Sequence, residues 1–118
     1  VDDGRPIFLQ IAENLESQIL DGSLPVDSQV PSINALAQFH RINPATALKG
    51  VNLLVDVGLL VKRRGIGMFV ATGARETLLA QRRAEFQELF VAPLVQRAKA
   101  LGLSTQEVQD MTAKEMDR

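Results

Sequence analysis

The sequence predicts a mainly α fold (α+β) whose only sheet is a small two-stranded hairpin, and three observations carry that expectation. Apolar residues recur at helical spacing along much of the chain, starting with Ile7, Ile11, Leu15 and Ile19. Asn43-Pro44 opens a further helix, a capping side chain followed by the residue whose missing N–H costs nothing at the first helical position. That helix runs to Gly58 and straight into Leu59-Leu60-Val61-Lys62-Arg63-Arg64-Gly65-Ile66-Gly67-Met68-Phe69-Val70, two short strands around a glycine-bearing turn tipped with cations. A capped helix feeding a cationic hairpin is the back half of a winged helix-turn-helix. Such a unit has a specific physical use: the helix enters a groove of DNA and the hairpin holds the flanking backbone.

The elements are taken in order. Pro6 opens the first helix, with Phe8 and Ala12 beside its apolar stripe, and Asp21-Gly22 stops it. Pro25 and Pro31 bracket a connector that is not helical throughout. Ser32 caps a short second helix carrying Ile33, Leu36, Ala37 and Phe39, which runs out at His40-Arg41. The third helix buries Ala47, Val51 and Leu54 and turns Ala45, Lys49, Asn52 and Asp56 outward, while Leu48 and Val55 fall off the core stripe, toward the wing or a partner. Gly50, unfavourable mid-helix by about 1 kcal/mol against alanine, marks the close approach of another element.

After the small-residue link Ala71 to Ala74, Leu78, Leu79, Phe86, Leu89, Phe90, Leu94 and Ala98 mark a long amphipathic helix that Pro93 must kink or interrupt. Gly102 ends it. Ser104 with Glu107 forms a capping box, and Leu103 with Val108 a hydrophobic staple, for a last helix carrying Val108, Met111 and Met116. Helices of this length do not enclose a core alone, so their apolar stripes need another surface, either the first domain or a second copy of the chain, and dimerisation is the economical answer. The expected organisation is a winged helix-turn-helix over residues 1–72 and a helical dimerisation tail over 73–118. Dimer contacts are expected from Leu79, Phe86, Leu89, Phe90, Leu94, Val108 and Met111.

Composition narrows the function. A chain of 118 residues has room for one ordinary domain, or a small one plus an accessory piece. With 46% hydrophobic residues but only 4% aromatic, its core must be mostly Leu, Val, Ile and Ala. The absence of cysteine excludes disulfides, thiolate metal sites and cysteine nucleophiles, and His40 alone makes no His-rich metal site, so neither metal nor cofactor is expected. No apolar run approaches the ~20 residues of a membrane span and no signal-peptide pattern opens the chain, which points to the cytoplasm and away from membranes. The start at Val1 rather than Met suggests processing or trimming.

The net charge of −1 looks wrong for a polyanion binder until its distribution is read. From Val1 to Phe39 one cation, Arg5, faces six acids, a local −5; from His40 to Gly67 five cations (Arg41, Lys49, Lys62, Arg63, Arg64) face Asp56, a local +4. Local potential, not the total, decides where a polyanion docks.

The ordered set Pro6-Ile7, Gln10-Ile11, Gly22, Leu24-Pro25, Pro31-Ser32, Leu36-Ala37, Asn43-Pro44 with Thr46, Leu54, Gly58-Leu59 and Arg63 through Gly65-x-Gly67-x-Phe69-Val70 resembles the GntR regulators of bacterial transcription. The Asn-Pro-x-Thr helix start and short tail resemble the family's YtrA-like branch, whose operons encode membrane transport components. Three positions depart from the family pattern and bear on the operator sequence more than on DNA binding. Asn34 stands where an arginine usually contacts DNA, Asp27 replaces a connector glycine, and Leu48 is hydrophobic where many relatives are polar or basic. Asp27 tolerates the left-handed backbone that such a glycine supplies.

The resemblance implies a homodimeric, sequence-specific regulator of transcription, a repressor, on a palindromic operator in double-stranded DNA. Ser32 and Asn34 would contact the backbone from the second helix. Asn43, Pro44, Ala45, Thr46 and Lys49 would form the reading face of the third. Asn43 and Thr46 lie near free backbone N–H groups suited to phosphate, and Ala45 suits a thymine methyl. In the wing, Lys62 and Arg63 would anchor phosphates while Arg64 and Gly65 approach a minor groove. Any small-molecule effector would need a pocket at the dimer interface. Two other classes compete: a winged-helix module for protein association, which high salt would not weaken as it weakens duplex binding, and a carboxylate-only enzyme, for which no nucleophile–base pair is visible.

Overall fold

The computed structural model describes residues 5–118, so two of the amino-terminal acids, Asp2 and Asp3, lie outside the described residues. It is mainly helical with one two-stranded antiparallel wing, in the order α1 (Ile7–Asp21), α2 (Ile33–His40), α3 (Pro44–Asp56), β1 (Leu60–Arg63), β2 (Gly67–Val70), α4 (Ala74–Phe86), α5 (Ala92–Ala100) and α6 (Thr105–Met116). A π-helical turn, Gln87–Val91, joins α4 to α5. Packing divides the chain into two compact units, the first ending at Ala80 and the second being Gln81–Arg118.

The first unit closes on Ile11, Leu15 and Ile19 of α1, Leu36 and Ala37 of α2, Ala47, Val51 and Leu54 of α3, and Leu60 and Val70 of the hairpin. Burying each of the larger aliphatics contributes roughly 1.5–3 kcal/mol. The unit extends past the expected 1–72 segment because Ala74 and Leu78, on the first turns of α4, are also buried in it. Arg75 fastens the same turns, its Nε donating to the Leu20 carbonyl at 2.9 Å.

Local signals place the helix ends. Ser32 Oγ accepts the Ala35 N–H at 3.0 Å, and Asn43 Oδ1 accepts the Ala45 N–H at 2.8 Å. Asp27 stands at φ 65°, the left-handed backbone expected of it in place of glycine. Arg41 closes α2 in the same region at φ 56°, its N–H reaching the carbonyls of Ala37 and Gln38.

Gly50 is a point of close approach: a Cβ there would lie 2.7 Å from the Phe8 carbonyl oxygen and 3.3 Å from Ile11. α1 therefore rests on α3 backbone to backbone. Gly50→Ala gains helix propensity of about 1 kcal/mol, yet the added carbon meets main chain that cannot swing aside. The expected net result is a loss of about 1–2 kcal/mol, read as a lower urea midpoint at unchanged slope. A stabilised variant would mean that α1 is free to shift.

Two side chains depart from expectation. Phe39 is 80% exposed, because it lies past the stripe of Leu36 and Ala37, and it meets the His40 ring edge to face, with ring centroids 5.0 Å apart. Val55 packs against the core of its own unit rather than reaching out. Leu78, at the start of the tail's apolar stripe, is covered by the first domain, one of the two surfaces expected for it.

In the second unit, Pro93 sits just past the π-helical turn. Its ring would crowd the Leu89 carbonyl in a continuous α-helix, and the wide turn, closed by the Ala92 N–H on the Gln87 carbonyl, relieves that crowding. Among described residues only Ala98 is buried here, and Met111 and Met116 are exposed rather than core. The α6 capping box is complete: Ser104 N–H donates to Glu107 Oε1 at 2.9 Å, and Glu107 N–H to Ser104 Oγ at 3.1 Å.

The Ser104 N–H, then its hydroxyl, holds the Glu107 carboxyl below its ordinary value of 4.5. A carboxyl whose folded pKa is depressed contributes stability above its unfolded value and loses it as pH falls through the folded one. Glu107→Gln should therefore lower helicity at neutral pH and flatten the acid limb of a circular dichroism titration. Identical titrations of the two proteins would remove the box from α6 stability.

Candidate nucleic-acid interface

The residues singled out for DNA contact all fall in the first unit. Ser32 and Asn34 at the start of α2, and Asn43, Pro44, Ala45 and Lys49 on α3, are exposed, with Thr46 half-buried. Lys62, Arg63, Arg64 and Gly65 of the wing are exposed as well. α3 is fixed in place by packing on α1, α2 and β1, so its outward face is carried by a rigid body.

The open N–H groups expected at the start of α3 are already used. Pro44 has none, Asn43 Oδ1 takes that of Ala45, and the Asn43 carbonyl takes those of Thr46 at 3.0 Å and Ala47 at 3.2 Å. At α2 the position differs. Ser32 satisfies Ala35 through its hydroxyl and Leu36 through its carbonyl, and the N–H groups of Ile33 and Asn34 have no partner among the described residues. The helix start suited to a phosphate is thus that of α2, where unpaired N–H groups and the positive end of the dipole coincide.

Two of the cations are engaged. Lys49 Nζ stands 4.1 Å above the Phe8 ring, so α1 holds its ammonium by cation–π attraction. The Arg63 guanidinium lies 4.3 Å above the Phe69 ring and 3.7 Å from Asp27 Oδ1. Arg63 faces Gly67 across the ladder, two pairs along from Val61 and Phe69, and this diagonal placement puts guanidinium over ring. Lys62 and Arg64 carry no such partner among the described residues, and they are the wing's uncommitted charges.

The wing is braced by a residue that sequence reasoning missed. Gln29 bridges Phe69 on the outer edge of β2, and its Nε2 donates to the Ile66 carbonyl at 3.0 Å. Neighbouring backbone bonds, Val30 N–H to Met68 at 2.8 Å and Val70 N–H to Ser28 at 3.0 Å, flank this isolated bridge and pin the connector to β2. At the tip the Ile66 N–H closes the turn on the Arg63 carbonyl at 2.9 Å, with Gly65 at φ 75°. The only sequence trace of this brace is Gly67, where a Cβ would meet Gln29 Nε2 at 2.7 Å.

Comparison with known proteins agrees with this geometry. The profile described as bacterial regulatory proteins, gntR family, matches residues 8–70, from α1 through β2. The transcriptional repressor NagR of Bacillus subtilis is 36% identical over 74 residues, 63% of this chain but only 30% of NagR. The transcriptional repressor YtrA of the same organism is 28% identical over 83 residues, 70% of this chain and 64% of YtrA. The chain therefore spans less than a third of the one and a little under two thirds of the other. Among solved structures, a GntR-family transcriptional regulator from Bacteroides thetaiotaomicron aligns at a TM-score of 0.79 and 28% identity, over 95% of this chain and 97% of that one. The AraR DNA-binding domain in complex with operator ORR3 aligns at 0.53 and 34% identity, over 54% of this chain and 77% of that chain. With more than half of its length matched and a winged helix in place, the chain belongs to the gntR family of bacterial regulatory proteins, DNA-binding transcription regulators.

Proposed function

We propose that this chain acts as a homodimeric repressor of transcription that binds a palindromic operator in double-stranded DNA. One observation carries the reading: the outward face of α3 and the uncommitted wing cations Lys62 and Arg64 are exposed within a single compact unit. In this reading α3 enters the major groove with Ala45 leading and Lys49 at its flank, drawn toward Phe8, while Asn43, Pro44 and Thr46 shape its entry. Ser32, Asn34 and the open N–H groups of α2 take a phosphate. Lys62 and Arg63 hold the flanking backbone, and Arg64 and Gly65 approach the adjacent minor groove.

Dimerisation is supported by the second unit, where Phe86 is 59%, Leu89 62%, Phe90 62% and Met111 53% exposed. Phe86 and Phe90 already touch, with centroids 5.6 Å apart, and so form one apolar patch rather than scattered residues. Leu94 and Val108 extend the candidate surface in the same unit, and Leu79 lies half-buried at the end of the first. Phe86→Glu with Phe90→Glu should convert a sedimenting dimer to monomer while leaving helicity intact. A variant that still sediments as a dimer would place the interface elsewhere.

The deciding experiment is selection of bound duplexes from a random pool. An enriched palindrome with half-sites about one helical turn apart is the expected outcome, and it reads class, symmetry and spacing together. An enriched but asymmetric site would sink the dimeric reading, and no enrichment would sink sequence-specific binding.

A further inference from the structure

We propose that Leu48, with Ala45 one turn before it, reads the 5-methyl group of a thymine in each half-site; this rests on the DNA-binding reading above. The outward surface of the first two turns of α3 is the part expected to reach base edges, and its chemistry is unusual. Ala45 and Leu48 are exposed, Leu48 by 40%, and they stand three residues apart, neighbours on one helix face. Neither belongs to the core side of the helix, which is Ala47, Gly50, Val51 and Leu54.

The one cation on that surface is drawn aside. Lys49 keeps its ammonium 4.1 Å above the Phe8 ring of α1. A lone exposed leucine is ordinary, and by itself it says nothing. Here it sits where a base edge would lie, beside an alanine, on a helix whose lysine is occupied. Among the base edges of the major groove, the thymine methyl is the one apolar group, and a branched aliphatic side chain is its natural contact. The polar readout left to this face is the Asn52 amide, one turn further on.

The test uses the duplex recovered by selection and the full chain. Each thymine is replaced by deoxyuridine, which removes the methyl and leaves every hydrogen-bonding group. One position per half-site should respond, weakening wild-type binding by about tenfold when both half-sites are changed, the order expected for one buried methyl in each. Leu48→Ala should weaken binding to the thymine duplex by a similar factor and lose its response at that position. The uracil arm needs no variant, so it stands whether or not Leu48→Ala perturbs the helix. Equal affinity of wild type for all-thymine and all-uracil duplexes overturns the proposal, as does a Leu48→Ala variant with its full methyl response. Failure to enrich any duplex would overturn the DNA-binding reading itself; an enriched duplex indifferent to its methyls overturns this inference alone.

Discussion

Leu78→Ala should destabilise the first unit by about 2–5 kcal/mol, the range for emptying a fully buried leucine site. The residue is 0% exposed, although it lies on α4, beyond the segment 8–70 matched by the family profile. Ala74, 3% exposed on the preceding turn, and Arg75, bonded to the Leu20 carbonyl, hold α4 where Leu78 must enter the core. Such a site has little freedom to collapse, so the cavity left by the deletion would persist. Leu79→Ala is the control, because that neighbour is only half-buried and should cost much less. Urea unfolding measures both, and the midpoint should move without a change in slope. A Leu78→Ala cost below about 1 kcal/mol would mean that α4 is an appendage, and that the winged helix ends at the link before it.

The contrast shows what the chain's pattern makes legible. Helices α1 to α3 were readable because their signals are local: a four-residue apolar stripe ending at Gly22, Ser32 as a cap, and Asn43-Pro44. The hairpin was readable because glycine at 65 and 67 sits between two short apolar runs, Leu59 to Val61 and Met68 to Val70. Helical periodicity puts Leu78 on an apolar face but leaves open whether the first domain or a second copy covers it. In the stripe through Leu78, Phe86 and Phe90 the first residue meets the winged helix, while the others are exposed.

The same limit governs the candidate site. Residue types and order marked Lys49, Lys62, Arg63 and Arg64, but their partners lie far off in sequence. Phe8 lies on another helix, and Asp27 sits in a connector whose left-handed backbone was expected while its ion pair was not. Gln29 carries no pattern at all, since one amide reaching one carbonyl leaves no periodic trace. Pairings through space separate committed charges from available ones, and the wing's contribution to binding depends on that distinction.

That distinction yields the second large effect. Replacing Lys62 and Arg64 together with alanine should weaken operator binding by about a hundredfold at low salt, and should reduce the slope of log affinity against log salt by about 2 per half-site. Both side chains are exposed and unpartnered among the described residues, so their loss changes charge without emptying the core, and thermal stability should hold. Arg63→Ala should cost less, because its guanidinium already faces Asp27 Oδ1 at 3.7 Å and offers DNA only part of its charge. An exposed pair of this kind contributes about 0–1 kcal/mol, so duplex phosphate can compete for it. Asp27→Asn, which keeps a side chain tolerant of the left-handed backbone, should release Arg63, tighten binding a few-fold and steepen the salt slope. Titrations of wild type and the three variants across a salt series separate these effects. A slope unchanged by loss of Lys62 and Arg64 would remove the wing from the interface, and weaker binding by Asp27→Asn would mean that the ion pair positions Arg63 for DNA instead of withholding it.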